Sequence, residues 1–267
     1  MTRKCFFVDE VNSGEEYATL SREATRHVES VLRLKAGDSI ELRDGRGNGW
    51  MAVIAGMEGP VLRVRLAKRQ LLESESPLKL TLAMAFARSD RMELVCRQAT
   101  EIGINRFVAF RAKRSQYGLS EQQAKKRVER WSKIAREALC QCGRGRLPEI
   151  DVFADASALI SAASSWGGAE NEGLKVLACE GERKQSILEL KRRAPVCGHI
   201  VAVVGAEGGW TDEEIDEFGR GGYQAVHLGP RVLRLETAAV ALLSSVQLLW
   251  GDFGGISITG GERNEMS

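Results

Sequence analysis

The sequence predicts an α/β protein in two parts: a small β-barrel crossed by one helix, then a larger domain built on a largely parallel sheet. Three observations carry this expectation. Over the first seventy residues, short strand-like runs are punctuated by turns such as Asp44-Gly-Arg-Gly-Asn-Gly49, the pattern of successive hairpins. Beyond Pro77, apolar runs alternate with helical periods, as in βαβ units whose sheet is covered on both faces. Between them lies the polar stretch Glu73-Ser-Glu-Ser-Pro77, which places a boundary between domains at 1–73 and 77–253 and leaves 254–267 as a flexible tail.

In order along the chain, strands are expected at 4–8, 39–43, 50–55 and 61–67. Between the first two, a helix N-capped by Ser21 presents Ala24, His27, Val28, Val31 and Leu32 on one side. The second domain has strands at 78–87, 106–111, 148–153, 174–179, 199–204 and 224–228, with helices at 90–102, 121–141, 155–164, 185–193, 212–219 and 236–249. Ser120 with Gln123 and Thr211 with Glu214 make capping boxes that set two helix starts. Residues 164–173 read as a surface loop, and Ala239, Leu242, Leu243, Val246 and Leu249 on the last helix offer a face for pairing with a second chain.

Composition narrows the class. With 43% hydrophobic and 28% charged residues, the chain resembles an ordinary soluble protein, and its nearest membrane-span candidate, 233–250, carries Glu236, Ser244, Ser245 and Gln247. Few apolar residues precede Asp9 and Glu10, so no leader is expected and the cytoplasm is the expected compartment. The six cysteines lack C-x-x-C spacing. They read as reduced thiols, with no metal. Charge is segregated: residues 77–150 hold 16 basic and 7 acidic side chains, a +9 excess, and 151–267 hold 10 and 17. A basic segment of that density suits a polyanion, and nucleic acid is the expected partner.

Two loops sit where α/β sheets bind ligands, between a strand and the following helix. Gly205-Ala-Glu-Gly-Gly-Trp-Thr211 is neither G-x-G-x-x-G nor a lysine-bearing phosphate loop. Glu207, Asp212, Glu213 and Glu214 make it acidic, which disfavours a diphosphate and favours a ligand with hydroxyls, an amine and a positive centre. S-adenosylmethionine has all three. In Leu228-Gly-Pro-Arg-Val-Leu-Arg-Leu-Glu-Thr237, the apolar Val232, Leu233 and Leu235 can enclose an adenine ring.

These loops resemble the two cofactor motifs of the small-subunit rRNA uridine-N3 methyltransferase family, RsmE, within the SPOUT class of knotted methyltransferases. Weaker matches lie at His27-Val-Glu-Ser-Val-Leu-Arg33, Gly37-Asp38, Asp44-Gly45, Arg91-Met-Glu93, Ala99-Thr-Glu-Ile-Gly103 and Glu137-Ala-Leu-Cys-Gln-Cys-Gly-Arg144, so the resemblance spans residues 3 to about 253. It implies a PUA-like N-terminal barrel that holds RNA, a SPOUT domain with a trefoil knot, and a homodimer whose site needs both chains. It implies cofactor contacts at Leu177, Cys179 and Glu180, at Gly205, Glu207, Gly208 and Gly209, and at Leu228, Gly229, Arg231, Val232, Leu233, Leu235 and Glu236. Three departures stand out: Ala206 replaces a usual proline, Leu235 a small or hydroxyl residue, and Gln98 a usual lysine.

Methyl transfer to uracil N3 requires loss of an imide proton that titrates about two units above neutrality, roughly 3 kcal/mol of barrier that one base or cation can offset. Arg144 and Arg234 are the candidate cations, with Glu207 or Glu236 orienting substrate or cofactor. His27, Arg33, Arg88, Arg91, Lys126, Arg130 and Lys133 are the candidate RNA contacts, within ribosomal RNA of the small subunit. Three alternatives stay open: a nonenzymatic RNA-binding or ribosome-assembly factor on the same fold, a SPOUT enzyme acting on another RNA, and a nucleotide-dependent oxidoreductase. The missing G-x-G-x-x-G disfavours the last.

Overall fold

The structure, a computed structural model, describes residues 4–9, 11, 14–72, 74–118, 120–166 and 173–255. Glu73, most of the expected 164–173 loop and the expected tail beyond Gly255 lie outside the described residues.

The first sheet has the order β1-β3-β4-β5-β2, with β1 (Cys5–Phe7), β2 (Tyr17–Thr19), β3 (Ser39–Arg43), β4 (Asn48–Glu58) and β5 (Val61–Leu71). β1 runs parallel to β3 and the other pairs are antiparallel. Ile40, Leu42, Ala52, Ile54 and Val64 alternate inward, as a pleated strand with one dry face requires. Phe6, Ala18, Leu20 and Val28 close the same core, so side chains bridge the two edge strands. β2 escaped the sequence reading because three residues are too few to display alternation; Tyr17 lies under the Arg63 guanidinium, 3.9 Å away.

The helical segment departs from its expected face. Ser21 Oγ caps α1 (Arg22–Arg26) by accepting from Ala24 N at 3.1 Å, but His27–Val31 then forms a π-helical turn. This wider turn rotates the later residues off the α-helical stripe. Val28 is fully buried, whereas His27 is exposed and Val31 is 67% exposed.

The second sheet is parallel throughout, in the order β11-β9-β10-β6-β7-β8. Its strands are β6 (Lys79–Ala85), β7 (Arg106–Phe110), β8 (Glu149–Phe153), β9 (Leu174–Ala178), β10 (His199–Val204) and β11 (Gln224–Val226). Between and after them come α2 (Ser89–Ile102), α3 (Glu121–Cys142), α4 (Ala156–Ala163), α5 (Ile187–Arg193), α6 (Asp212–Arg220) and α7 (Leu235–Trp250). The strands are apolar on both faces because both are covered. Leu80, Leu82, Met84, Phe107, Ile200 and Ala202 meet α2, α3, α5 and α7, while Ala83, Val108, Phe110, Leu177, Val201 and Val203 meet α4 and α6. Both expected capping boxes form, and Ser186 with Glu189 makes a third at α5.

Ala239, Leu242, Leu243 and Val246 of α7 are fully buried against this sheet. The face expected to pair with a second chain therefore covers its own domain. All six cysteines are free, and burial pushes the Cys96 thiol up to about 12. Among the described residues no helix is long and apolar enough to cross a membrane.

The two sheets meet through the segment after α3. Gly47 N donates to Gly145 O at 2.9 Å and Leu147 N to Gly45 O at 2.9 Å, an extended pairing across the joint. Arg144, only 4% exposed, donates from Nη2 to Glu75 at 2.6 Å and from Nη1 to Thr100 O at 2.8 Å. Glu75 also accepts from the backbone N–H groups of Gly145 and Arg146 at 2.9 and 3.0 Å. Arg43 Nη1 donates to Arg144 O at 2.6 Å. A charge buried this deeply is tolerated because every donor has an acceptor.

Candidate active site

The carboxyl ends of β9, β10 and β11 open into three loops that enclose a cavity of about 450 Å³, a size typical of small-molecule sites. The loop after β10 is shaped by Trp210, whose Nε1 donates to Ala178 O at 2.8 Å. A Cβ on Gly205 would stand 2.7 Å from that indole, so only glycine lets the ring tuck beneath the loop. Gly209 has φ +70°, a left-handed conformation that glycine adopts without steric cost. Thr211 and Glu214 then start α6, and buried Glu214 accepts from Lys113 N at 2.7 Å, tying this loop to the end of β7.

One wall is apolar, built from Leu228, Val232, Leu233, Leu235, Val204 and Cys179. The charged lining residues are Glu180 and Glu207 together with Arg91, Arg183, Arg231 and Arg234. At the mouth, Arg91 Nη1 donates to Glu207 Oε1 at 2.5 Å, and Arg91 Nε lies 3.9 Å from Glu236 Oε2. That Glu236 oxygen is buried and has no hydrogen-bond partner. Arg91, Arg234 and Glu236 also line a shallow depression adjoining the mouth. A carboxylate oxygen with an unused lone pair, beside two guanidinium groups, can take a proton or hold a polar substrate edge.

The RNA methyltransferase domain family matches residues 74–247, and the RNA methyltransferase PUA domain matches 20–65. A ribosomal RNA small subunit methyltransferase E from Mycobacterium bovis is 31% identical over 251 residues, covering 93% of each chain. The chain belongs to this methyltransferase E family. A second member, from Bacillus subtilis, is 27% identical over 88% of this chain and 92% of its own. Among solved structures, a Legionella pneumophila methyltransferase with bound SAM superposes with a TM-score of 0.84 at 29% identity, covering 95% of this chain and 100% of that one. The Neisseria gonorrhoeae methyltransferase E bound to S-adenosyl methionine gives 0.79 at 29% identity, with 94% and 99% covered.

Within this methyltransferase E chain, Cys179, Glu180, Gly205, Glu207, Gly209, Leu228, Gly229, Arg231, Val232, Leu233 and Leu235 line the cavity together. Leu177 does not: it is 1% exposed and packs in the core on the α4–α6 face. Gly208 faces outward, and a Cβ there would meet Arg114 Cβ at 3.0 Å while Arg114 Nη1 donates to its carbonyl. Glu236 lies at the mouth. Ala206 and Leu235, two of the departures, are both buried in the cavity wall.

The largest correction concerns Arg144. Its guanidinium is consumed by Glu75 and Thr100 in the joint and lines no part of the cavity. Sequence reading took it for a free cation because it ends a basic helix; its acceptor, Glu75, is 69 residues away. Conversely, Arg91, expected to contact RNA, stands in the mouth itself. Trp210, Arg183 and Pro230 also line the cavity without having been singled out. The Gly-Gly-Trp-Thr string was the available signal for Trp210, since a tryptophan beside a capping residue has a fixed direction.

The basic candidates divide similarly. Lys126 is exposed and makes no ion pair among the described residues, and Arg33 is exposed in a left-handed conformation at φ 52°. Arg130 pairs with Glu93 at 2.8 Å and Lys133 with Glu23 at 2.6 Å across the joint. Arg88 pairs with Asp90 at 3.3 Å, and His27 meets the Phe6 ring edge-on. Exposed pairs of this kind contribute about 0–1 kcal/mol. Phosphate can replace the carboxylate partner at little cost.

Proposed function

We propose that this chain transfers a methyl group from S-adenosylmethionine to N3 of a uridine in 16S ribosomal RNA of the small subunit. The observation that carries the reading is the cavity at the strand ends, lined by apolar side chains, two glutamates and four arginines, with Arg91 and a Glu236 oxygen that has no hydrogen-bond partner among the described residues at its mouth. Its residues suit the cofactor: the apolar wall takes an adenine ring, and Glu180 and Glu207 suit hydroxyls and a cationic amine. S-adenosylmethionine supplies an electrophilic methyl group on a sulfonium. What remains for the protein is to align N3 and lower the cost of removing its proton.

In this reading Arg91 and Arg234 donate to the uracil oxygens, where negative charge grows as N3 loses its proton. Glu236 Oε2 holds the imide N–H or accepts its proton. Arg91 and Arg234 thus take the role expected of Arg144. The basic surface, on which Lys126 and Arg33 make no ion pair among the described residues, holds phosphates. We further propose that the chain divides functionally near residues 73–77, that the second domain threads as a trefoil knot, and that a homodimer acts on ribosomes in the cytoplasm. Val232, 78% exposed at the cavity rim, and Leu248, 58% exposed on α7, are among the exposed apolar positions of the described residues, and in this reading a second copy covers them.

Incubation with methyl-labelled S-adenosylmethionine and small ribosomal subunits from a strain lacking this protein, followed by nucleoside mass analysis, tests the reading. N3-methyluridine is expected. Binding of RNA without cofactor binding would instead favour an assembly factor, and label on another RNA would reassign the substrate.

A further inference from the structure

We propose that a second cavity, at the end of β6, binds an unpaired nucleobase of the RNA next to the uridine presented for methylation. This rests on the preceding reading of the chain as an RNA methyltransferase. The cavity, of about 610 Å³, opens where β6 runs out into Phe86, between the start of α2 and the middle of α3. Three aromatic residues lie in its wall: Phe86 is 6% exposed, Trp131 1% and Tyr117 40%.

Trp131 supplies the decisive feature. Its ring meets Phe107 edge-on at 5.6 Å, but among the described residues its buried indole Nε1 has no acceptor. Buried donors are nearly always satisfied, so an orphan on a residue of the cavity wall calls for a ligand acceptor. Every nucleobase offers carbonyl or ring-nitrogen acceptors on its edge and a π face for a ring such as that of Tyr117. A base inside a duplex cannot enter such a recess, so the occupant is unpaired.

The rim suits the attached phosphate. Arg88 and Arg127 line it, and no side chain caps the first turn of α2. Among the described residues Arg88 is engaged only with Asp90, in a pair whose side chains are 59% and 65% exposed. Arg88 and Asp90 also line the depression formed by Arg91, Arg234 and Glu236, and Arg91 and Arg234 continue into the cofactor cavity. The three hollows are thus strung along the first turn of α2, about 5 Å of helix. A strand delivering one base to Arg91 and Glu236 brings its neighbour to Tyr117 and Trp131.

Tyr117→Ala tests the stacking surface at an exposed position, and Trp131→Phe removes the donor while keeping an aromatic ring. Affinity is measured for a 15-nucleotide single-stranded RNA centred on the uridine that the wild-type protein methylates, and for copies carrying one abasic residue in turn. Tyr117→Ala is expected to weaken binding of the intact RNA roughly 5- to 100-fold, the range for losing one stacked base, with S-adenosylmethionine affinity unchanged. In the wild type, one abasic position adjacent to the uridine should cost the same factor, and in Tyr117→Ala that position should cost nothing more. Trp131→Phe should relax the preference for base identity at that position alone. Equal abasic penalties in wild type and Tyr117→Ala, or an unchanged affinity for the intact RNA, overturns the proposal. A wild-type protein that binds S-adenosylmethionine but no RNA overturns both this inference and the reading beneath it.

Discussion

The interdomain joint and the cavity mouth are both arginine–carboxylate clusters, and they differ in what is left over. At the joint, Arg144 and Glu75 use their polar atoms on each other and on backbone groups, and Arg144 is buried. At the mouth, Arg91 keeps 25% of its side chain exposed and Glu236 retains a buried oxygen that accepts no hydrogen bond among the described residues. A saturated cluster has nothing to offer a substrate and acts as a clamp. An unsaturated one has paid a desolvation cost that only a bound group can recover.

The comparison breaks most readily at the joint. Glu75→Ala leaves the Arg144 guanidinium buried without its carboxylate, and removal of one partner from a buried pair typically costs about 3–5 kcal/mol. Denaturant unfolding should show a loss of that size, while activity per folded molecule stays near wild type. A loss below about 1 kcal/mol would place the pair among surface salt bridges and remove the distinction.

Arg91→Ala should do the opposite. Stability is expected to change by less than about 1 kcal/mol, as for most partly exposed positions. The single-turnover methylation rate at saturating RNA and cofactor should fall by roughly 10²–10³, the scale of losing one preorganised donor to developing charge. If the fall disappears when RNA is raised, Arg91 is a phosphate contact and the mouth is only an anchoring site.

Neighbouring glycines sharpen the cavity's outline with a smaller effect. At Gly209, φ is +70° and an added Cβ would stand 2.9 Å from Glu180 Oε1. A left-handed non-glycine residue costs about 1–2 kcal/mol, so Gly209→Ala should weaken S-adenosylmethionine binding about tenfold. Gly208→Ala meets Arg114 instead, outside the cavity. Calorimetric titration should find its affinity within about twofold of wild type, and equal losses at both positions would mean that the loop responds as a unit.

The parallel sheet, its helices and both cavity loops were legible because each rests on local signals: apolar runs, capping residues and glycines before helices. What stayed hidden depends on contacts distant in sequence. Arg144 looks like Arg91 until Glu75 is seen beside it, and Leu177 looks like a ligand contact until the pleat turns it into the α4–α6 core. Val31 was misplaced because an α-helical period was applied to a π turn. Gly208 and Gly209 are indistinguishable as letters, and only backbone direction separates them.

A third unsaturated group lies at the opposite end of the sheet, away from both cavities, and it sets the smallest expected effect. His199 begins β10, is 7% exposed, and has a buried Nδ1 with no hydrogen-bond partner among the described residues. Burial, with Lys79 and Arg106 nearby, pulls its pKa below the ordinary value of 6.5. The folded state therefore resists the proton that the unfolded chain accepts, so the unfolded state gains stability as pH drops. The stabilising contribution of neutral His199 is complete above the unfolded value and is lost as pH falls through 6.5 toward the lowered folded value. Thermal unfolding between pH 8 and pH 5 should show a steeper loss for the wild type than for His199→Gln, whose side chain is neutral throughout, and the two slopes should coincide above pH 7. Parallel slopes over the whole range would mean that His199 finds a partner on protonation, and that an orphaned buried atom does not by itself mark an unsaturated site.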